Sequence, residues 1–95
     1  MNKIEVVSLR LVDPKESGLR GFADISVEGI ILRDFRIVHR NGRPFIEPPH
    51  ITVRKNGQQF YNQLVTFPEE MKVQVETAIL AAYFQKEQTY EHQPE

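Results

Sequence analysis

An α+β domain, with an antiparallel sheet made of a meander and a hairpin and one C-terminal helix packed on it, is predicted by three features of this 95-residue sequence. Apolar and polar residues alternate through the first half, which is the period of half-buried strands. Glu28-Gly29, Asn41-Gly42 and Asn56-Gly57 punctuate the alternating runs with tight-turn signals. After Pro68 the apolar spacing changes from two to about 3.6, the period of a helix.

Val7, Leu9 and Leu11 alternate with Ser8 and Arg10, so a first strand is expected there, ended by the loop Asp13-Pro14-Lys15-Glu16-Ser17-Gly18. Leu19, Gly21, Ala23, Ile25 and Val27 share one face of a second strand, with Arg20, Phe22, Asp24 and Ser26 on the other. Ile30 to Val38 should return antiparallel after Glu28-Gly29. The extended stretch from Pro44 to Pro49 contains three prolines, which remove ladder donors and place it at a sheet edge. Ile51-Thr52-Val53 and Phe60 to Val65 flank Asn56-Gly57 and form the clearest hairpin in the chain. From Pro68 a helix is expected to about Lys86. Glu69 and Glu70 complement the dipole of its first turn, and Met71, Val75, Ala78, Ile79 and Ala82 form one apolar stripe.

Residues 1–86 are therefore read as a single domain, and residues 87–95, polar with a late Pro94, as a disordered C-terminal tail. A chain this short buries only about 60 to 65% of its unfolded surface, so its core is modest. There is no cysteine to staple it, and the three histidines, His39, His50 and His92, are far apart. Oligomerisation is the supplement left open. The N-terminus alternates instead of forming an apolar signal core, and no stretch approaches the roughly 20 apolar residues of a membrane span, so a cytoplasmic location without membrane contact is expected.

A second stripe strengthens the expectation of a partner. At about 100° per residue, Val73, Thr77, Leu80 and Phe84 lie opposite the Met71 to Ala82 stripe. A helix lying on a sheet needs one apolar face. Val73, Leu80 and Phe84 are accordingly expected at a homodimer interface, the alternative being a tail or loop folded over Leu80 and Phe84.

Little in the chain points to catalysis, to a cofactor or to a small-molecule substrate. Without cysteine there is no thiol nucleophile or thiolate metal site, and no two histidines stand at metal-ligand spacing. The serines, Ser8, Ser17 and Ser26, lie outside any nucleophile elbow, and no Gly-rich phosphate loop precedes the helix. Asp24 and Asp34 lie on strands that pair, which leaves a carboxylate dyad open, although strand carboxylates facing water are ordinarily just solvated.

Charge is segregated. Residues 33–55 carry six basic side chains against two acidic ones, whereas residues 69–95 carry two against six. The basic segment includes Arg33, Arg36, Arg40 and Arg43 on one strand and its turn, with Arg54-Lys55 on a later turn. A β-ribbon can present such charges to a nucleic-acid backbone. Simple alternation puts Arg33 on the face opposite Arg36 and Arg40, so the run is not one stripe. From charge alone, a solvated face remains the ordinary alternative to a phosphate site.

From Leu9 to Tyr83 the sequence resembles the stage V sporulation protein G family, SpoVG. The residues that carry the resemblance are Leu9-Arg10-Leu11-Val12, Ala23 to Val27, and Ile31 to Val38 with its Asp34-Phe35-Arg36-Ile37-Val38 strand. Asn41-Gly42, Phe45-Ile46-Glu47-Pro48-Pro49, Gly57 with Phe60, and Ala78 to Tyr83 follow in the same order. The resemblance implies an α+β dimer and a non-enzymatic bacterial regulator that binds DNA and RNA and influences septation or sporulation.

The family's binding determinant includes a Pro-Ser-Lys-Arg segment, and the matching positions here read Pro48-Pro49-His50-Ile51, without the Lys-Arg pair. Arg54-Lys55, on a hairpin about two residues longer, stands where that charge could be restored. Tyr61 replaces a residue that is often basic in the family, and Glu69-Glu70 replace an often basic helix start. The site expected from residues and resemblance together consists of Arg36, Arg40, Arg43, Arg54 and Lys55 on phosphates, with Tyr61 stacking on a base. The competing expectation is a protein-interaction module that keeps the fold and has lost the nucleic-acid site.

Overall fold

The computed structural model describes residues 3–91. Strands β1 (Ile4–Leu11), β2 (Leu19–Val27), β3 (Ile30–Arg40) and β4 (Arg43–Glu47) form an antiparallel sheet in the order β1-β2-β3-β4. Strands β5 (His50–Lys55) and β6 (Gln58–Gln63) make a separate two-stranded ribbon, and helix α1 (Glu69–Glu91) closes the chain. The fold is α+β, with the proline-bearing β4 at the sheet edge as its missing donors require. Both Asn-Gly turns use left-handed backbone, with φ of 53° at Asn41 and Asn56 and 76° at Gly42 and Gly57.

One face of the sheet supplies Leu9, Ala23, Ile25, Val27, Phe35 and Ile37 to the core, and α1 covers them with Val75, Ile79 and Tyr83. Met71 and Ala82 pack at the margin, together with Phe67, whose ring stacks on Phe35 at 6.2 Å between centroids. The helix starts on the Pro68 carbonyl, which accepts the Lys72 N–H at 2.9 Å. Near its other end the Tyr83 hydroxyl lies 2.9 Å from His39 Nε2 and donates to Glu87 Oε2 at 2.6 Å, while Lys86 Nζ reaches the Leu9 carbonyl at 2.5 Å. These contacts tie β1 and β3 to the C-terminal half of α1.

Several expectations need correction. Leu19 does not share the face of Gly21 and Ala23, because the β2–β3 register slips between Leu19 and Gly21 and sets Leu19 against Val38 while Gly21 meets Ile37. Val7 does not join Leu9 and Leu11 in the core; it is half exposed, because the β1–β2 register slips between Val6 and Ser8 and the bulge transfers the inward role to Val6. The helix passes its expected end at Lys86 and continues to Glu91, since Glu87, Gln88 and their neighbours contain no breaker before Pro94. Of the segment expected to be a tail, residues 87–91 are thus helical, and 92–95 lie outside the described residues. The last correction concerns Arg33.

The β2–β3 pairing runs Ala23 to Phe35 and then Ile25 to Leu32, so Asp24 alone faces the two residues Arg33 and Asp34. Asp34 takes φ 68°, a left-handed conformation that aspartate tolerates better than most side chains. Asp24, 6% exposed, holds the bulge: its Oδ1 accepts the Asp34 N–H at 3.0 Å and its Oδ2 accepts Arg33 Nη1 at 3.2 Å. One extra residue reverses the alternation upstream of it. Arg33 therefore shares a cleft with Arg36 instead of facing the opposite way. The same geometry gives the Asp24–Asp34 pair a structural task, because the contact runs from a carboxylate to a backbone N–H and not between two carboxyl groups.

Candidate nucleic-acid interface

On the sheet face turned away from α1, three residues stand in one transverse row. Arg10 on β1 is the register partner of Phe22 on β2, which is in turn the partner of Arg36 on β3. The guanidinium carbons lie over the Phe22 ring, 5.5 Å from its centroid for Arg10 and 5.8 Å for Arg36. Such cation–π contacts hold both side chains up against the sheet with their remaining N–H donors available. Gly21 makes room for this arrangement, since a Cβ there would stand 2.7 Å from the Arg10 carbonyl oxygen. Its lack of a side chain lets β1 and β2 approach beside the row.

The row forms the floor of a cleft of about 410 Å³, walled by Arg33 and Asp34 from the bulge and by Pro49, His50, Ile51 and Leu64 at the root of the ribbon. Two carboxylates temper its three guanidiniums: Asp34 lies 3.6 Å from Arg10, and Asp24 pairs with Arg33. Arg36 makes no ion pair among the described residues. At the ribbon root His50 stacks on Tyr61, with ring centroids 4.3 Å apart and planes 26° from parallel. The chemistry of the cleft is that of an anion site beside exposed aromatic surface.

The expected site residues are divided among three places. Arg36 lies in the cleft, and Tyr61 adjoins it through His50. Cross-strand pairs in the ribbon put Arg54 on the same face as Tyr61 and His50, while Lys55 faces the other way. Arg40 and Arg43 pair at the β3–β4 turn, where Arg40 is held by Glu47 at 2.6 Å and borders a different groove, between β4 and the start of α1. The structure does not bring Arg40, Arg43, Arg54 or Lys55 to the lining of the Arg36 cleft.

Arg10, Phe22, Arg33 and His50 are the cleft residues that sequence reasoning passed over. Arg10 and Phe22 each read as an ordinary outward strand position, and only the β1–β2–β3 register joins them to Arg36. His50 carried a signal, since it fills a position of the family's basic segment, but its aromatic partner lies across the hairpin. Of the residues expected at a dimer interface, Val73 and Phe84 are exposed, at 53% and 47%, and Leu80 is partly covered. Among the described residues no helix is long and apolar enough to cross a membrane. No family model, curated protein or solved structure matches the chain.

Proposed function

We propose that this chain is a SpoVG-like regulatory protein that binds DNA or RNA as a homodimer, with the contact surface centred on the Arg10–Phe22–Arg36 row. The observation that carries this reading is the row itself, an aromatic ring between two guanidiniums on an open sheet face, with Arg33 beside it and the His50–Tyr61 stack at the edge. Guanidiniums grip phosphate oxygens through paired N–H donors, and aromatic surface receives unstacked bases. The resemblance to SpoVG supports the same ligand class. The family's Lys-Arg pair is absent at His50-Ile51, and Arg54, placed where that charge could be restored, shares its ribbon face with Tyr61. Against this stands the protein-interaction module, favoured by the two aspartates that already engage Arg10 and Arg33.

Fluorescence anisotropy with labelled single-stranded and duplex oligonucleotides, titrated with salt, separates the two readings. Each phosphate neutralised contributes a slope of about −0.7 to −0.9 in log K against log salt. Arg36→Ala is expected to reduce that slope by about one such increment, and Arg40→Ala to change it little. Absence of salt-dependent binding to either oligonucleotide at low ionic strength would reject nucleic acid as the ligand.

A further inference from the structure

The ribbon has two chemically different faces, and beyond its root, where His50, Ile51 and Leu64 border the cleft, neither is covered by its own chain. Every residue from Ile51 to Leu64 is exposed. The register pairs Ile51 with Asn62, Val53 with Phe60 and Lys55 with Gln58, so one face carries Ile51, Val53 and Phe60 and ends in Lys55 at the tip. The other face carries His50, Thr52, Tyr61, Arg54, Gln59 and Gln63. A lone two-stranded hairpin is at best marginally stable in water, so the apolar face calls for a cover.

A matching surface exists on α1. Val73, Leu80 and Phe84 line its outward side, and helical geometry sets Glu69 and Glu70 at the N-terminal end of that stripe. Neither glutamate, nor Lys55, has an ion-pair partner among the described residues. The ribbon face is the shorter: Ile51 to Lys55 spans ~13 Å at a strand's rise, which covers the part of the stripe from Leu80 to Glu70, ~15 Å at a helix's rise, and leaves Phe84 at the margin. Both surfaces run from apolar residues to a charged end, of opposite sign. Within the chain they do not cover each other, because Ile51, Val53, Phe60, Val73 and Phe84 are all exposed.

We infer that the apolar face of the ribbon docks on the outer stripe of α1 of a second copy of this chain, with Lys55 against Glu69 and Glu70. A two-fold axis makes the exchange reciprocal: each copy lends its ribbon and receives the other's, which closes the assembly as a dimer and prevents a filament. The opposite ribbon face, with Tyr61 and Arg54, stays free. This deepens the dimeric part of the reading above and is independent of nucleic acid.

Sedimentation equilibrium on the full chain at tens of micromolar provides the test. The native protein should be a dimer, and Val53→Glu with Phe60→Glu should give monomers. Charge reversal guards against a ribbon that merely unfolds. Lys55→Glu, and separately Glu69→Lys with Glu70→Lys, should each weaken association by about tenfold or more through like-charge opposition, and the combination of all three should restore it to near the native value. A monomeric native protein would overturn both the dimer and this interface. A native dimer that keeps its affinity in the Val53/Phe60 variant, or charge reversals whose combination is no better than the singles, would overturn this interface alone.

Discussion

Arg36 stands over the ring of Phe22, its register partner on the neighbouring strand, at 5.8 Å from the centroid, and Arg10 meets the same ring from the other side of the row at 5.5 Å. The core and the candidate interface are therefore two faces of the same strands. Ala23 and Ile25 face α1 with no exposed surface, whereas Phe22 between Gly21 and Ala23 points the other way. Packing against the helix fixes the register, and the register aligns the two guanidiniums. Damage to the strand pairing should therefore be felt at the cleft even where no cleft residue is changed.

Gly21→Ala tests that coupling. Its Cβ would stand 2.7 Å from the Arg10 carbonyl oxygen, a backbone atom that cannot move without disturbing the β1–β2 ladder. We expect a loss of about 1–3 kcal/mol in urea unfolding, the usual range for overpacking. Binding of an oligonucleotide should weaken with it, because the displaced atoms belong to Arg10. Unchanged stability would mean that β1 yields at this point and that the close approach is not required.

Asp24 is the second lever. Its carboxylate satisfies the Asp34 N–H and Arg33 while itself only 6% exposed. Asp24→Ala removes both interactions and leaves a backbone donor unpaired at the bulge, at a cost of about 1–3 kcal/mol. Asp24→Asn keeps a carbonyl acceptor for the Asp34 N–H and should lose less. Amide chemical shifts of Arg33, Asp34 and Phe35 would report the bulge directly. If these stay in place in the alanine variant, the left-handed turn at Asp34 is held by something other than Asp24.

The reach of the sequence is clear from these same residues. The antiparallel meander, the edge position of Pro44, the two Asn-Gly turns and Met71, Val75, Ile79 and Ala82 on the inward side of α1 all follow from local periodicity and turn chemistry, whereas Tyr83, the largest buried side chain, lies outside the expected stripe. What periodicity does not contain is a change of phase. The register shifts at Val7, between Leu19 and Gly21, and at Arg33-Asp34 each insert one residue, which reverses the facing of the residues on one side of it relative to the other, and nothing in the local runs announces the insertion. Simple alternation consequently places Arg33 away from Arg36. The Arg10–Phe22–Arg36 row was out of reach for a related reason, since its three members are brought together by pairing among strands and not by spacing along one of them. The helix end was missed because polar composition reads as disorder even where, as from Glu87 to Glu91, the residues are compatible with helix.

The last prediction separates charge from geometry at the row. Arg36→Lys keeps a positive charge but replaces the planar guanidinium with a compact ammonium that has no paired N–H fork. If Arg36 acts only as a charge, the substitution leaves both the affinity and the salt slope unaltered. If the ring of Phe22 orients the guanidinium to grip a phosphate, affinity falls while the slope stays the same, because the number of neutralised phosphates has not changed. A cation–π contact at an exposed site is worth about 0.5–1 kcal/mol and lysine retains part of it, so a drop of up to roughly fivefold is expected from that contact, and more where bidentate bonding is lost as well. Phe22→Leu completes the argument from the other partner. It keeps an apolar side chain on the outer face and removes the ring, freeing Arg10 and Arg36 together, so its effect on affinity should exceed that of Arg36→Lys with the slope again preserved. Binding isotherms at three or four salt concentrations for the native chain and the two variants measure both quantities. Native affinity in Arg36→Lys, or in Phe22→Leu, would show that the ring does not organise the site.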